Sequence, residues 1–189
     1  MPHLKPSEVA SYWDQGYLIQ RQALKIPELA SVCTLIMVLV DKYASELYHE
    51  GKISCLFEGE PFERRLVLIN QQAELKASLW DLTQAFDCPE LFHLSRHPAI
   101  LDRLESLLGP EISWTGSYVT RLKLPQNQGT VFPWHQDSQY IDQPTIGKKE
   151  RHTENLLMVT VWVPLVESTV KNGFAAGSFQ AVTVGDYWM

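Results

Sequence analysis

The sequence predicts an α+β fold, with helices in the first half of the chain and strands in the second. Up to Gly109, apolar residues recur at helical spacing between residues that typically begin and end helices. After Gly109, β-branched and aromatic residues become frequent, and the segments Ile112 to Leu124 and Asn155 to Val166 have the pattern of strands. This order, in a chain of 189 residues, predicts one domain whose helices pack on one face of a mainly antiparallel sheet.

Four helices are predicted before the strands. The first begins with Ser7 as its N-cap and ends at Gln15, because Gly16 provides a stop. Residues 17–21 form a short β-prone segment, and residues 58–69 remain ambiguous between helix and strand. The other three helices are expected from Pro27 to about Tyr48, from Ala73 to Ala85 and from Pro98 to Leu108.

The composition indicates a globular protein that acts on a small organic molecule. Apolar residues make up 45% of the chain and aromatic residues 11%, which is ample for a packed core. The net charge of −6 argues against nucleic acid or an anionic membrane as a partner, because phosphate binding needs clustered Lys and Arg. The longest apolar stretch, from Ala30 to Val40, is too short to span a bilayer.

The cysteines and the N-terminus predict a cytoplasmic location. Cys33, Cys55 and Cys88 are odd in number and share no short spacing, so they indicate reduced thiols and neither a disulfide framework nor a zinc site. The first residues show no charged region followed by an apolar one, as a secretory signal would.

The segment from Phe132 to Tyr140 contains the strongest candidate site. His135 and Asp137 are two residues apart in sequence that favours an extended backbone, so their side chains leave the same face and can converge on a metal. Two such ligands are two-thirds of the facial triad that holds Fe(II) in non-haem oxygenases. The pair His152 and Glu154 has the same spacing, but its neighbours are charged, which is typical of a solvated loop.

Five segments of the chain form a recognisable set: Asp14 to Ile19, Lys123 to Pro125, Phe132 to Tyr140, Val159 to Leu165, and Asn172 with Gly173. Together they resemble the phytanoyl-CoA dioxygenase family of Fe(II)- and 2-oxoglutarate-dependent oxygenases. The resemblance implies a helical layer packed on a double-stranded β-helix, which is a jelly-roll or cupin-like core. It also implies Fe(II) and 2-oxoglutarate as cofactor and co-substrate.

The resemblance assigns roles to five residues. His135 and Asp137 would bind iron, Lys123 and Trp162 would contact 2-oxoglutarate, and Gln136 would lie near the metal. A cation such as Lys123 suits a carboxylate that has left water. The alternatives are an ordinary edge lysine at 123 and core filling by Trp162, while Gln136 would face away from its neighbours in a regular strand.

The last part of the chain departs from the family pattern. The second iron-binding histidine and the 2-oxoglutarate-binding arginine have no match, and Phe179 follows the Gly177-Ser178 turn where the histidine is expected. This predicts a truncated form with a helical layer at 1–109, a partial barrel at 110–173 and a divergent tail at 174–189. Such a chain is expected to bind both cofactors weakly and to be inactive. The alternatives are a non-catalytic regulatory module that associates with a full-length homologue, and a cupin-like binding protein.

Overall fold

The computed structural model describes residues 3–74, 88–114, 120–125, 127–130 and 158–167, and these ranges contain five α-helices. The helices are α1 (Pro6–Gln15), α2 (Ile26–His49), α3 (Phe62–Gln72), α4 (Pro89–Ser95) and α5 (Pro98–Leu108), and a single 3₁₀ turn follows at Gln128–Thr130. The predicted helices at 7–15, 27–48 and 98–108 are therefore confirmed to within one residue at each end. None of the helices described is long and apolar enough to cross a membrane.

The first two helices begin with the same local arrangement, which differs from the predicted one. The N-cap of α1 is Lys5 and not Ser7, because Pro6 occupies the first helical position, where its missing N–H costs nothing. The carboxylate of Glu8 then accepts a hydrogen bond from the Lys5 N–H at 2.8 Å. At the start of α2, Glu28 does the same for the Lys25 N–H at 2.6 Å. In each helix, an acidic third residue stabilises the positive end.

This arrangement makes the stability of α1 depend on pH. The hydrogen bond from the Lys5 backbone, followed by one from Gln20, holds the pKa of Glu8 below its ordinary value of 4.5. A carboxyl whose pKa is lower in the folded state stabilises the protein above its unfolded pKa and loses that effect as the pH falls through the folded pKa. We expect the wild type to unfold at a higher temperature than Glu8→Gln above about pH 5, and the two melting temperatures to converge in more acid solution. A difference that stays constant across this range in thermal melts would contradict the assignment.

The core of the described structure lies between α2 and α3. One face of α2 contributes Ile36, Val40, Ala44 and Leu47, and these residues pack with Ile53 and Ile69. Helix α4 also contacts α2. Leu165, from the segment at 158–167, packs against the same core and is partly buried. The strand-like segment of the second half is thus attached to the helical layer at this point.

The segment after α1 is irregular, not the short strand that its composition favours. Gly16 ends the helix with φ of 75°, and residues 17–20 have no regular structure. Gln20 connects α1 to α5, since its side-chain amide donates to Glu8 at 3.0 Å and its carbonyl oxygen accepts from Arg103 at 3.1 Å. This segment is thus connected to the helices by side-chain hydrogen bonds of Gln20.

Between α2 and α5 the structure settles one ambiguity and corrects one prediction. The ambiguous segment 58–69 contains most of α3. The helix predicted from Ala73 does not begin there, because Ala73 is the extended residue that ends α3, with φ of −135° and ψ of 114°. Residues 75–85 of that prediction lie outside the described residues. Helix α4, which the sequence did not predict, begins with Pro89 at its first position.

The predicted sheet remains a prediction. In the described parts of the two strand-like segments, at 112–114, 120–124 and 158–166, no residue is assigned to a strand. A strand is defined by hydrogen bonds to a neighbouring strand, and most of the chain from 131 onwards lies outside the described ranges.

Candidate functional site

Lys123 lies on a short loop that is closed by its own hydrogen bonds. The Asn127 N–H donates to the Leu124 carbonyl at 3.4 Å, and the Thr130 N–H donates to the Asn127 carbonyl at 3.2 Å. The hydroxyl oxygen of Thr130 accepts from the Leu124 N–H at 3.3 Å. Lys123 itself is exposed, so its ammonium group is available to an anion in solvent.

The loop is attached to the helical layer through one buried side chain. Asn127 is only 4% exposed, and its amide nitrogen donates to the Asn70 side-chain oxygen on α3 at 2.8 Å. Its amide oxygen accepts from the Gly129 N–H at 2.9 Å. No motif of the sequence points to Asn127. The residues from Pro125 to Gly129 are typical of a turn. Nothing in the local sequence indicates that Asn127 contacts Asn70, which is 57 residues earlier.

Trp162 lies in the segment 158–167, close to the residue that joins this segment to the core. Its side chain is 41% exposed, whereas Leu165, three residues later, packs against the core of α2 and α3. The aromatic face of Trp162 is therefore accessible to a ligand. Lys123 and Trp162 are the two predicted site residues that the structure describes.

The other three predicted site residues, His135, Gln136 and Asp137, lie outside the described residues. In the part of the chain that is described, no group of three His, Cys, Asp or Glu side chains could hold a metal ion. The donor chemistry of His135 and Asp137, an imidazole nitrogen and a carboxylate oxygen, does fit Fe(II). His135 and Asp137 belong to the segment 132–140, which comes soon after Lys123 in the sequence.

Two of the three cysteines, Cys33 and Cys88, are in surroundings that favour the protonated thiol. Burial raises the pKa of the Cys33 thiol, and burial is also the main reason why the pKa of Cys88 is raised. Cys88 donates to the Glu90 carboxylate at 3.3 Å, which further favours its protonated form. Since the thiolate is the nucleophile, these two groups are poorly suited to covalent catalysis at neutral pH. All three cysteines are free thiols.

Two open depressions occur on the described surface, and neither contains Lys123 or Trp162. One lies between the residues before α1 and the end of α5, where His3 and Ser106 form part of its wall. The other is bordered by the loop from Ser54 to Gly59, which follows α2. Both are wide and shallow, so neither has the enclosed form of a substrate pocket.

Comparison with known protein families identifies the class of the chain. The model of the phytanoyl-CoA dioxygenase family matches residues 12–174, a range that includes Lys123, Trp162 and the segment 132–140. This class generally consists of Fe(II)- and 2-oxoglutarate-dependent oxygenases. The chain belongs to the phytanoyl-CoA dioxygenase family, and the resemblance seen in its motifs is confirmed. No curated protein and no solved structure matches the chain.

Proposed function

We propose that the chain carries the iron- and 2-oxoglutarate-binding elements of a dioxygenase that hydroxylates a small organic substrate. The family match over residues 12–174 carries this proposal, because that range includes all five residues that the motifs single out. When bound, Fe(II) and 2-oxoglutarate supply the oxidative decarboxylation that drives hydroxylation of a C–H bond. His135 and Asp137 hold the metal in this proposal, and Gln136 lies beside it.

Lys123 and Trp162 bind 2-oxoglutarate in this proposal. An exposed ammonium on a loop that is fixed to α3 provides the positive charge that a carboxylate needs as it loses water. Trp162 offers an accessible aromatic face on a segment that Leu165 attaches to the core. Both residues thus lie on segments that contact the helical layer. The free thiols agree with a reducing compartment, and we propose the cytoplasm.

A second candidate function is a binding or regulatory module without turnover. The observation that favours it is Phe179, which follows the Gly177-Ser178 turn where the family pattern has a histidine. A site with only two of the three facial ligands would hold Fe(II) and 2-oxoglutarate weakly and would not turn over by itself. In this form the protein acts through a partner, such as a relative that has all three ligands.

Metal binding by the purified chain tests both candidates. We expect Fe(II) to bind under anaerobic conditions, and His135→Ala and Asp137→Ala to weaken binding by at least about 10-fold, the lower end of what loss of even an outer-shell partner causes. His152→Ala is the matched control, because His152 has the same spacing to an acid in a charged segment, and it should leave the affinity unchanged. Calorimetry or the visible absorption of the iron complex with 2-oxoglutarate reports the affinity.

Turnover distinguishes the two candidates. Oxygen-dependent conversion of 2-oxoglutarate to succinate by the wild type, lost in the two alanine variants, would establish the dioxygenase. Iron binding without succinate formation would favour the binding module, which should then co-purify with a full-length relative. Iron affinity that is the same in the wild type and in His135→Ala would exclude both.

A further inference from the structure

We propose that Asn127 is a positioning residue that holds Lys123 in place for 2-oxoglutarate, an inference that rests on the proposed function of Lys123. Lys123 has a flexible four-carbon side chain, so the place of its charge depends on how firmly its backbone is held. The structure shows a continuous path of hydrogen bonds from α3, through Asn127, to the residue next to Lys123.

The first part of the path is the side chain of Asn127. Both ends of its buried amide have partners, because the nitrogen donates to Asn70 at 2.8 Å and the oxygen accepts from Gly129 at 2.9 Å. A buried amide with donor and acceptor both satisfied has one favoured orientation. Asn70 is on α3, between the core residue Ile69 and the end of the helix, so the loop is attached to a rigid element.

The second part of the path runs from the backbone of Asn127 to Leu124. The Asn127 N–H donates to the Leu124 carbonyl, while the Asn127 carbonyl accepts from both the N–H and the hydroxyl of Thr130. The Thr130 hydroxyl oxygen in turn accepts from the Leu124 N–H. Both polar backbone groups of Leu124, the residue that follows Lys123, are therefore held by groups that Asn127 orders.

Close packing at Gly129 supports a fixed geometry for this loop. A Cβ atom at this position would lie 3.1 Å from the Asn127 side-chain oxygen, which is closer than a relaxed contact. A side chain at residue 129 would therefore require the amide oxygen to shift by a few tenths of an ångström. This tight fit leaves little freedom to the turn that follows Lys123.

The affinity for 2-oxoglutarate, measured by calorimetry with Mn(II) as a redox-inert metal, tests the proposal. We expect Asn127→Ala and Asn70→Leu each to weaken binding about 5- to 10-fold, as loss of one or two hydrogen bonds would. Asn70→Asp keeps an acceptor for the Asn127 amide and should bind nearly as the wild type does. In a Lys123→Ala background, Asn127→Ala should cause no further loss, because there is no ammonium group left to position.

A purely structural role for Asn127 predicts other results. Ile100→Val, a change at a buried residue of α5 that is not part of the α2–α3 core, serves as a control that lowers stability outside the core that Leu165 contacts. Weakened 2-oxoglutarate binding in this control, or an equal effect of Asn127→Ala with and without Lys123, would overturn the positioning role.

Failure of the proposed function can be told apart from failure of this inference. If the wild type binds no 2-oxoglutarate with Mn(II), the function assigned to Lys123 is wrong. Hydrogen exchange of the Leu124 and Gly129 amides then decides whether Asn127 holds the loop. Faster exchange at both amides in Asn127→Ala, but not in Ile100→Val, supports the path, and unchanged protection of Leu124 in Asn127→Ala overturns it.

Discussion

Replacement of Arg65 by alanine is expected to lower the free energy of unfolding by about 2 to 4 kcal/mol, although Arg65 is on a surface helix with a polar sequence. The side chain is only 2% exposed. Its guanidinium donates to Asp41 on α2 at 2.5 Å, and to the Leu56 carbonyl through two nitrogens at 3.2 and 3.0 Å. The substitution removes the side-chain packing and leaves a carbonyl without its charged donors.

The contacts to Leu56 are expected to contribute more than the ion pair. The Asp41 side chain is 54% exposed, so water screens its attraction to Arg65, and Asp41→Asn should cost less than about 1 kcal/mol. Arg65→Met restores much of the volume but none of the hydrogen bonds, and its stability should lie between those of the wild type and Arg65→Ala. Urea denaturation of the four proteins measures the series. An Asp41→Asn variant as unstable as Arg65→Ala would show that the ion pair dominates.

Arg65 also holds a strained loop in place. Phe57 has a φ of 52°, a region that non-glycine residues rarely adopt, and it directly follows the carbonyl that Arg65 binds. Ser54, in the same loop, donates its N–H to Gln72 at the end of α3 at 2.7 Å. Loss of Arg65 should therefore increase hydrogen exchange in the loop at residues 54–59 before it affects α2.

Arg65 and Ile69 show why the sequence left α3 ambiguous. They are four residues apart, and both face the interior, so they occupy the inner face of one helix. An arginine in that position counts as polar in any hydrophobic pattern, and the apolar periodicity of the segment is broken there. Its burial depends on Asp41 and on a loop carbonyl, and neither can be placed from local sequence. Helices α1 and α5 were predictable because each begins with a proline and is followed by a glycine. Helix α2 was predictable because it has a long apolar face.

The candidate site also has one part that the sequence predicts and one part that only the structure shows. Motifs alone predict His135, Asp137, Lys123 and Trp162 as site residues, because these motifs are short and lie on single segments. The support of Lys123 by Asn127 was not available, since it depends on a contact with Asn70 across 57 residues. Long-range contacts between neutral polar side chains have no periodic signal, and only the folded structure shows them.

Replacement of Ile69 by alanine should have the largest effect on stability, a loss of about 3 to 5 kcal/mol. Ile69 is completely buried, and it packs with residues of α2 and with Ile53 in the single core cluster of the described structure. Alanine would leave a cavity at the α2–α3 contact, where the hydrogen bond from Arg65 on α3 to Asp41 on α2 restricts the movement of the two helices. Val38, also on α2, is 58% exposed. Val38→Ala is therefore the control and should change stability by less than about 0.5 kcal/mol.

The same cavity should also loosen the segments that carry Lys123 and Trp162, because Leu165 packs against this core and Asn70 is the next residue after Ile69. In Ile69→Ala, hydrogen exchange should therefore increase at Leu124 and Gly129 and in the segment 158–167, together with the loss of global stability. A variant that loses stability while these amides keep their wild-type protection would show that the site segments are held independently of the helical core. If the protection falls as expected, the α2–α3 core is the common support for the two proposed 2-oxoglutarate contacts, and core substitutions on α3 should weaken 2-oxoglutarate binding without touching the ligand.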